Sequence, residues 1–160
     1  MIPFYRMKSL VLFDSQYGNT KQIAEAIARA LGSSGDAKAI EVNKATLSDF
    51  SSLDLLVVGS PTQGGRPTQA LQTLLNGLPA RSLHNVRVAA FDTRMSPEGR
   101  GWFLRTLMRV IDFASPKITK VLLQKGGTLA AEPEGFIVGD REGPLKEGEL
   151  ERAKQWAESL

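Results

Sequence analysis

Three short polar stretches in this 160-residue chain carry residue types suited to holding a ligand, and each follows an apolar run. The first reads Ser15-Gln16-Tyr17-Gly18-Asn19-Thr20: hydroxyl and amide donors around one glycine, with helical spacing directly after it. A helix start exposes unpaired N–H groups and the positive end of the helix dipole, a combination that seats phosphate. For a dianion the dipole contributes about 0.3 to 2 kcal/mol, with hydrogen bonds in addition. The stretch contains no lysine or arginine, so neutral donors would carry the binding. The same residues also suit an ordinary strand-to-helix turn capped by Ser15 or Asn19. The second stretch, Ser60-Pro61-Thr62-Gln63-Gly64-Gly65-Arg66-Pro67, has paired glycines that let backbone amides lie against a flat ligand. The third, Asp92-Thr93-Arg94-Met95-Ser96, follows Phe91. In an open parallel sheet, ligands bind beyond the carboxyl ends of the strands. Three polar loops converging there say more than any one alone.

Other chemistries are poorly supplied. The chain has no cysteine, which removes disulfides, thiolate metal sites and thiol catalysis, and its one histidine, His84, starves Ser–His and His-rich metal schemes. We read His84 as a surface or capping residue, expect no metal site, and assign no residue a catalytic role. Asp14 ends the first apolar run as a phosphorelay carboxylate would. The third run, however, ends in Gly59-Ser60 without a phosphoacceptor Asp. Gly99-Arg100-Gly101 begins like a dinucleotide fingerprint, yet position 104 is leucine and no strand immediately precedes it. Twenty Lys+Arg against 17 Asp+Glu leave a net charge of +3, too mild to argue for nucleic acid. Arg105, Arg109, Lys117 and Lys120 read first as a solvated helix face and second as a dock for an acidic partner. The apolar run 10–13 is too short for a signal peptide or a membrane span, so a cytoplasmic protein is expected.

Positioning three loops requires a sheet, and the pattern supplies one. Short apolar runs alternate with helical spacing in about five units, as when helices cover both faces of a parallel sheet. The length suits one domain. Strands are expected at 8–14, 37–42 (an edge strand), 54–59 and 85–91, with a fifth at 128–131 continuing or re-entering at 136–138. A helix is expected at 20–31 with Ile23, Ile27, Ala30 and Leu31 on one face. Pro67 suits the first position of another, with Leu71, Leu74, Leu75 and Leu78 inward. Ser115-Pro116 reads as N-cap and first position of a third, with Ile118, Val121 and Leu122 inward. The last, at 147–159, would bury Leu150, Ala153, Ala157 and Leu160. Residues 1–7 form an arm or extension, with Met1 or Met7 the natural start, and 8–160 the domain. An insertion at about 95–114 has Leu104, Leu107, Met108 and Ile111 at helical spacing behind a glycine-rich turn.

The run VLFDSQYGNTKQIAEAI resembles the phosphate-binding signature of flavodoxins, with Val11, Leu12, Phe13, Ser15, Gly18, Thr20, Ala24 and Ile27 in register. GSPTQGG and AFDTR are similar to the two ring-contacting loops of flavodoxin-like proteins, and GPLKEGELERAKQWA to the end of that group. The resemblance spans about residues 8–156. It implies a three-layer α/β/α sandwich on a five-stranded parallel sheet of order 2-1-3-4-5, with bound FMN. It assigns the phosphate to Ser15, Gln16, Tyr17, Gly18, Asn19 and Thr20. The ring goes to Pro61, Thr62, Gln63, Gly64 and Gly65 and to Asp92, Thr93, Arg94 and Met95. The function implied is electron transfer through non-covalent flavin between redox donor and acceptor proteins or a small acceptor, as a monomer or homodimer. The alternatives are an NAD(P)H-dependent flavin or quinone reductase and a non-redox binding module. Two departures stand out. The ring loops carry Gln63 and Thr93 to Met95 where the family has flanking aromatics; Trp102 is the nearest candidate, although it and Phe103 equally suit packing on the body or a second subunit. Arg66, Arg94 and Arg100 are on or near those loops, where positive charge favours a reduced, anionic flavin and raises its potential.

Overall fold

The computed structural model describes residues 5–33, 35–96 and 113–160. Trp102, Phe103, Arg100, Arg105, Arg109 and the helix expected across 104–111 lie outside the described residues. Six parallel strands make one sheet: β1 (Met7–Phe13), β2 (Gly35–Glu41), β3 (Leu55–Pro61), β4 (Arg87–Met95), β5 (Thr128–Leu129) and β6 (Glu134–Val138). Their order is β2-β1-β3-β4, with β5 and β6 both alongside β4. They occupy one lane, which makes the expected five positions. Arg87 pairs with Thr128 but Phe91 pairs with Glu134, so two extra residues bulge out of the fifth lane where Pro133 cannot donate to a ladder.

Alternation sorts the core. On β1 and β3, Leu10, Leu12, Leu56 and Val58 face one side, packed by helices α2 (Gln69–Gly77) and α3 (Ala114–Gln124) through Leu71, Leu75, Ile118 and Leu122. Val11, Phe13, Leu55 and Val57 face the other, under α1 (Asn19–Gly32) and α4 (Glu149–Glu158) through Ile23, Ile27, Ala153 and Ala157. Both faces are therefore dry, which is why these strands read as continuous apolar runs. Burying one such Leu or Ile contributes about 1.5 to 3 kcal/mol. No helix among the described residues is long and apolar enough to cross a membrane.

Several expected boundaries move for physical reasons. β1 begins at Met7, which already pairs with Gly35, so the arm ends one residue sooner than expected. β4 continues four residues past Phe91 because β3 and β6 pair it on both sides, through Pro61–Thr93 and Met95–Val138. Residues 92–95 are thus strand end and not free loop. Pro67 precedes α2, whose N-cap is Thr68; the Thr68 hydroxyl accepts from the Leu71 N–H at 3.4 Å. Ser115 lies inside α3, where Phe113 is the N-cap position. On α4, Leu150 is 43% exposed and Glu149 is buried, because positions 149, 153 and 157 share the inward face. Glu149 accepts from the Ile137 N–H at 2.6 Å and pairs with Arg152 at 2.6 Å, tying α4 to β6. Burial pushes its carboxyl up, but the Arg152 and Ile137 hydrogen bonds and the Arg152 charge outweigh that and hold it below the usual carboxylate range.

Candidate functional site

At the carboxyl end of β1 the backbone curls before entering α1. The Ser15 hydroxyl accepts from the N–H groups of Gly18 at 3.1 Å and of Lys21, in the first turn of α1, at 3.3 Å, so Ser15 caps the helix start. Gly18, the N-cap, makes the turn with φ 95°. Thr20 is buried, and its hydroxyl shares a 2.8 Å hydrogen bond with that of Thr93, locking the first loop to the end of β4.

Asp14 joins the first loop to the second. One carboxylate oxygen accepts from the Ser15 N–H at 2.9 Å and the other from the Thr68 hydroxyl at 2.6 Å. Between Gln63 and Arg66 the chain reverses through a tight turn closed by two backbone hydrogen bonds of 2.8 and 3.1 Å. Gly64 and Gly65 have φ of 57° and 78°, both positive, as a type I′ turn demands. The Gln63 amide then donates to the Gln16 side chain at 2.6 Å, bridging two loops.

Asp92 is fully buried beneath the third loop. It accepts from Arg94 at 2.6 and 2.7 Å and from the Ser115 N–H at 2.9 Å, while the Thr62 hydroxyl accepts from the Ala114 N–H at 3.0 Å. These two residues satisfy the first amides of α3, the role expected of Ser115. The Arg94 guanidinium stacks 3.6 Å over the Phe113 ring, neutralised from below by Asp92.

A fourth segment completes the ring of loops. Where β6 ends, the Glu142 carbonyl accepts from the Asn19 side chain at 3.1 Å, pinning the turn that carries Arg141 to the first loop. Among the described residues Arg141 has no ion-pair partner.

Together these segments enclose a cavity of about 670 Å³, within the range of small-ligand sites. Of the residues expected at a site, Gln16, Tyr17, Asn19, Thr20, Pro61, Thr62, Gln63, Gly64, Gly65, Thr93, Arg94 and Met95 line it. Ser15 and Gly18 instead shape the first loop from its base, and Asp92 lies under the wall as a support for Arg94 and α3. Phe113, Val138 and Arg141 also line the cavity, and sequence reasoning missed them. Val138 and Arg141 follow from the rule that ligands sit beyond strand carboxyl ends, applied to the fifth lane as well as the others. Tyr17 and Phe113 are the aromatic residues of the cavity's described lining. No group of three or more His, Cys, Asp or Glu able to hold a metal occurs among the described residues.

Comparison with known proteins finds the same pattern. The family described as Flavodoxin matches residues 11–93, just over half of the chain. A flavodoxin of Klebsiella pneumoniae is 31% identical over 90 residues, covering 51% of this chain and 51% of that protein, so the match spans about half its length. A flavodoxin of Klebsiella oxytoca is 37% identical over 54 residues, covering 34% of this chain and 86% of that one. A solved flavodoxin from the domain Archaea superposes with a TM-score of 0.71 at 21% identity, over 94% of both chains, and so shares the fold.

Proposed function

The chain belongs to the flavodoxin family, whose members bind FMN, and from that premise we propose that it holds FMN non-covalently in the 670 Å³ cavity and passes electrons between redox partners. The observation that carries this reading is the pairing of two unlike walls in one cavity. One is the first loop, whose Gln16, Asn19 and Thr20 line the cavity at the N-terminus of α1; the other is the glycine turn at 63–66, with Tyr17 and Phe113 as the aromatic residues of the same lining. A phosphomonoester fits the first and a planar ring the second.

In this reading Ser15, Gln16, Tyr17, Gly18, Asn19 and Thr20 hold the phosphate with neutral donors, and Arg141 adds the positive charge that the loop lacks. Pro61, Gln63, Gly64, Gly65, Thr93 and Arg94 border the ring, with Thr62 and Asp92 fixing that border to α3. Bound FMN supplies the one- and two-electron chemistry, while the chain binds it, orients it and sets the charge around it. The partners are redox proteins or a small acceptor.

Titration separates the parts of this reading. FMN fluorescence should quench with one equivalent of protein, and riboflavin, lacking the phosphate, should bind more weakly. FMN that stays fluorescent in excess protein would overturn the proposal.

A further inference from the structure

The surface of α2, α3 and their flanking turns is one-sided in charge, the nearby Asp49 being paired with Lys38 at 3.3 Å. Between residues 55 and 131 the only carboxylates are Asp92, Glu98 and Asp112. Of these the described one, Asp92, is fully buried against Arg94. The same stretch carries Arg66, Arg81, Lys117, Lys120 and Lys125 among its described cations, while its Arg87 lies beside Met7 on the other side of the sheet. The opposite face mixes signs: Lys21, Glu25 and Arg29 on α1, and Glu149, Glu151, Arg152, Lys154 and Glu158 on α4. A net charge of +3 therefore conceals a molecule whose positive potential is concentrated on one side.

A groove of about 280 Å³ runs between α2 and α3, bordered by Arg66 and Lys117 and lined by Pro67, Leu75, Ile118 and Val121. Lys117 donates to the Gly65 carbonyl at 2.7 Å, and Gly65 also lines the 670 Å³ cavity. Groove and cavity thus lie on two sides of the same turn. Exposed Lys120 follows Lys117 on α3.

We propose that this face docks the acidic surface of the protein with which the chain exchanges electrons, an apolar side chain of the partner entering the groove and its carboxylates meeting Arg66, Lys117 and Lys120. This rests on the FMN reading, since the turn shared with the cavity is what makes docking here useful. An apolar centre with a charged rim is the build of a protein interface. Charge at such a rim mainly raises the association rate, and salt suppresses it. A strand of nucleic acid would call for aromatic stacking platforms, and the described groove lining has none.

Succinylated cytochrome c, a haem protein whose lysines have been converted to carboxylates, serves as the acidic probe, and native cytochrome c as its basic counterpart. Carbodiimide coupling to the full chain, mapped by mass spectrometry, should favour Lys117 and Lys120 over Lys21, Lys38 and Lys154, and should fade with salt. The FMN-loaded, reduced chain should reduce the succinylated probe about tenfold faster at low than at high ionic strength. Lys120→Glu, an exposed substitution, should remove most of that gain. Cross-links spread evenly over the lysines, a preference for native cytochrome c, or protection of Lys117 and Lys120 by a 20-nucleotide single strand at lower concentration than the acidic protein would each overturn the proposal. Coupling needs no flavin. A chain that cross-links as expected but takes up no FMN loses the redox reading alone, and one that binds FMN without the expected cross-links loses the docking surface alone.

Discussion

Arg94 and Arg141 border the same cavity and meet opposite electrostatic fates. Asp92 neutralises Arg94 at 2.6 Å, while Arg141 keeps its charge on a turn tied to Asn19. If Arg141 is the charged partner of a phosphate, Arg141→Gln should weaken FMN binding about tenfold, the low end of a hydrogen bond to a charged group, and leave riboflavin binding unchanged. Parallel fluorescence titrations check this; an equal loss for both flavins would assign Arg141 to the ring instead. Most cavity residues were legible in the sequence because they sit within a few positions of a strand end, as Tyr17, Gln63 and Thr93 do. Arg141 and Phe113 were not. Their places depend on the return of the fifth lane beside β4 and on α3 docking over Thr62 and Asp92, which are contacts between residues far apart in the chain.

At the scale of elements, the fifth lane shows what alternation cannot reveal. Its two-residue bulge brings Gly135 beside Arg94, where a Cβ would lie 2.2 Å from the Arg94 Nε. Gly135→Ala should therefore push Arg94 off Asp92 and cost about 3 kcal/mol, as when one partner of a buried pair is lost, measurable by urea unfolding. Helix α4 gives a second prediction. Its buried Glu149 has a lowered pKa in the folded chain, so its contribution is full above the unfolded carboxylate value and disappears as pH falls through the folded one. Glu149→Gln should cost about 2 kcal/mol at pH 7, and the difference from the wild type should begin to shrink as pH falls past the unfolded carboxylate value and vanish below the lower folded one. A gap that persists in acid would trace the loss to packing. The sequence placed Ala153, Ala157 and Leu160 on the inward face, where they are, but put Leu150 there in place of Glu149, because a buried carboxylate looks polar until its arginine is in view. The β1, β3 and β4 runs were legible since both their faces are buried; the end of β4 was not, since polar Asp92 and Arg94 satisfy each other inside the fold.

For the molecule as a whole, charge is the property that composition conceals. Arg66, Lys117 and Arg141 stand around or just behind the cavity, and among the described residues none has a carboxylate partner. Positive surroundings stabilise the reduced, anionic flavin, so the midpoint potential should be less negative than that of a flavodoxin with acidic groups beside the ring. Arg66→Gln, next to Gly65 on the border of the ring, should shift it to more negative values in a spectroscopic redox titration, and a wild-type second step already strongly negative would contradict that charge argument. The central claim, however, is that one cavity seats a phosphomonoester at the start of α1 and a planar ring against the 63–66 turn. A crystal structure grown with FMN tests it most directly. The account predicts the phosphorus among the amides of residues 16–20 and the ring between that turn and residues 93–95; a cavity holding only solvent, or FMN bound elsewhere, would contradict it.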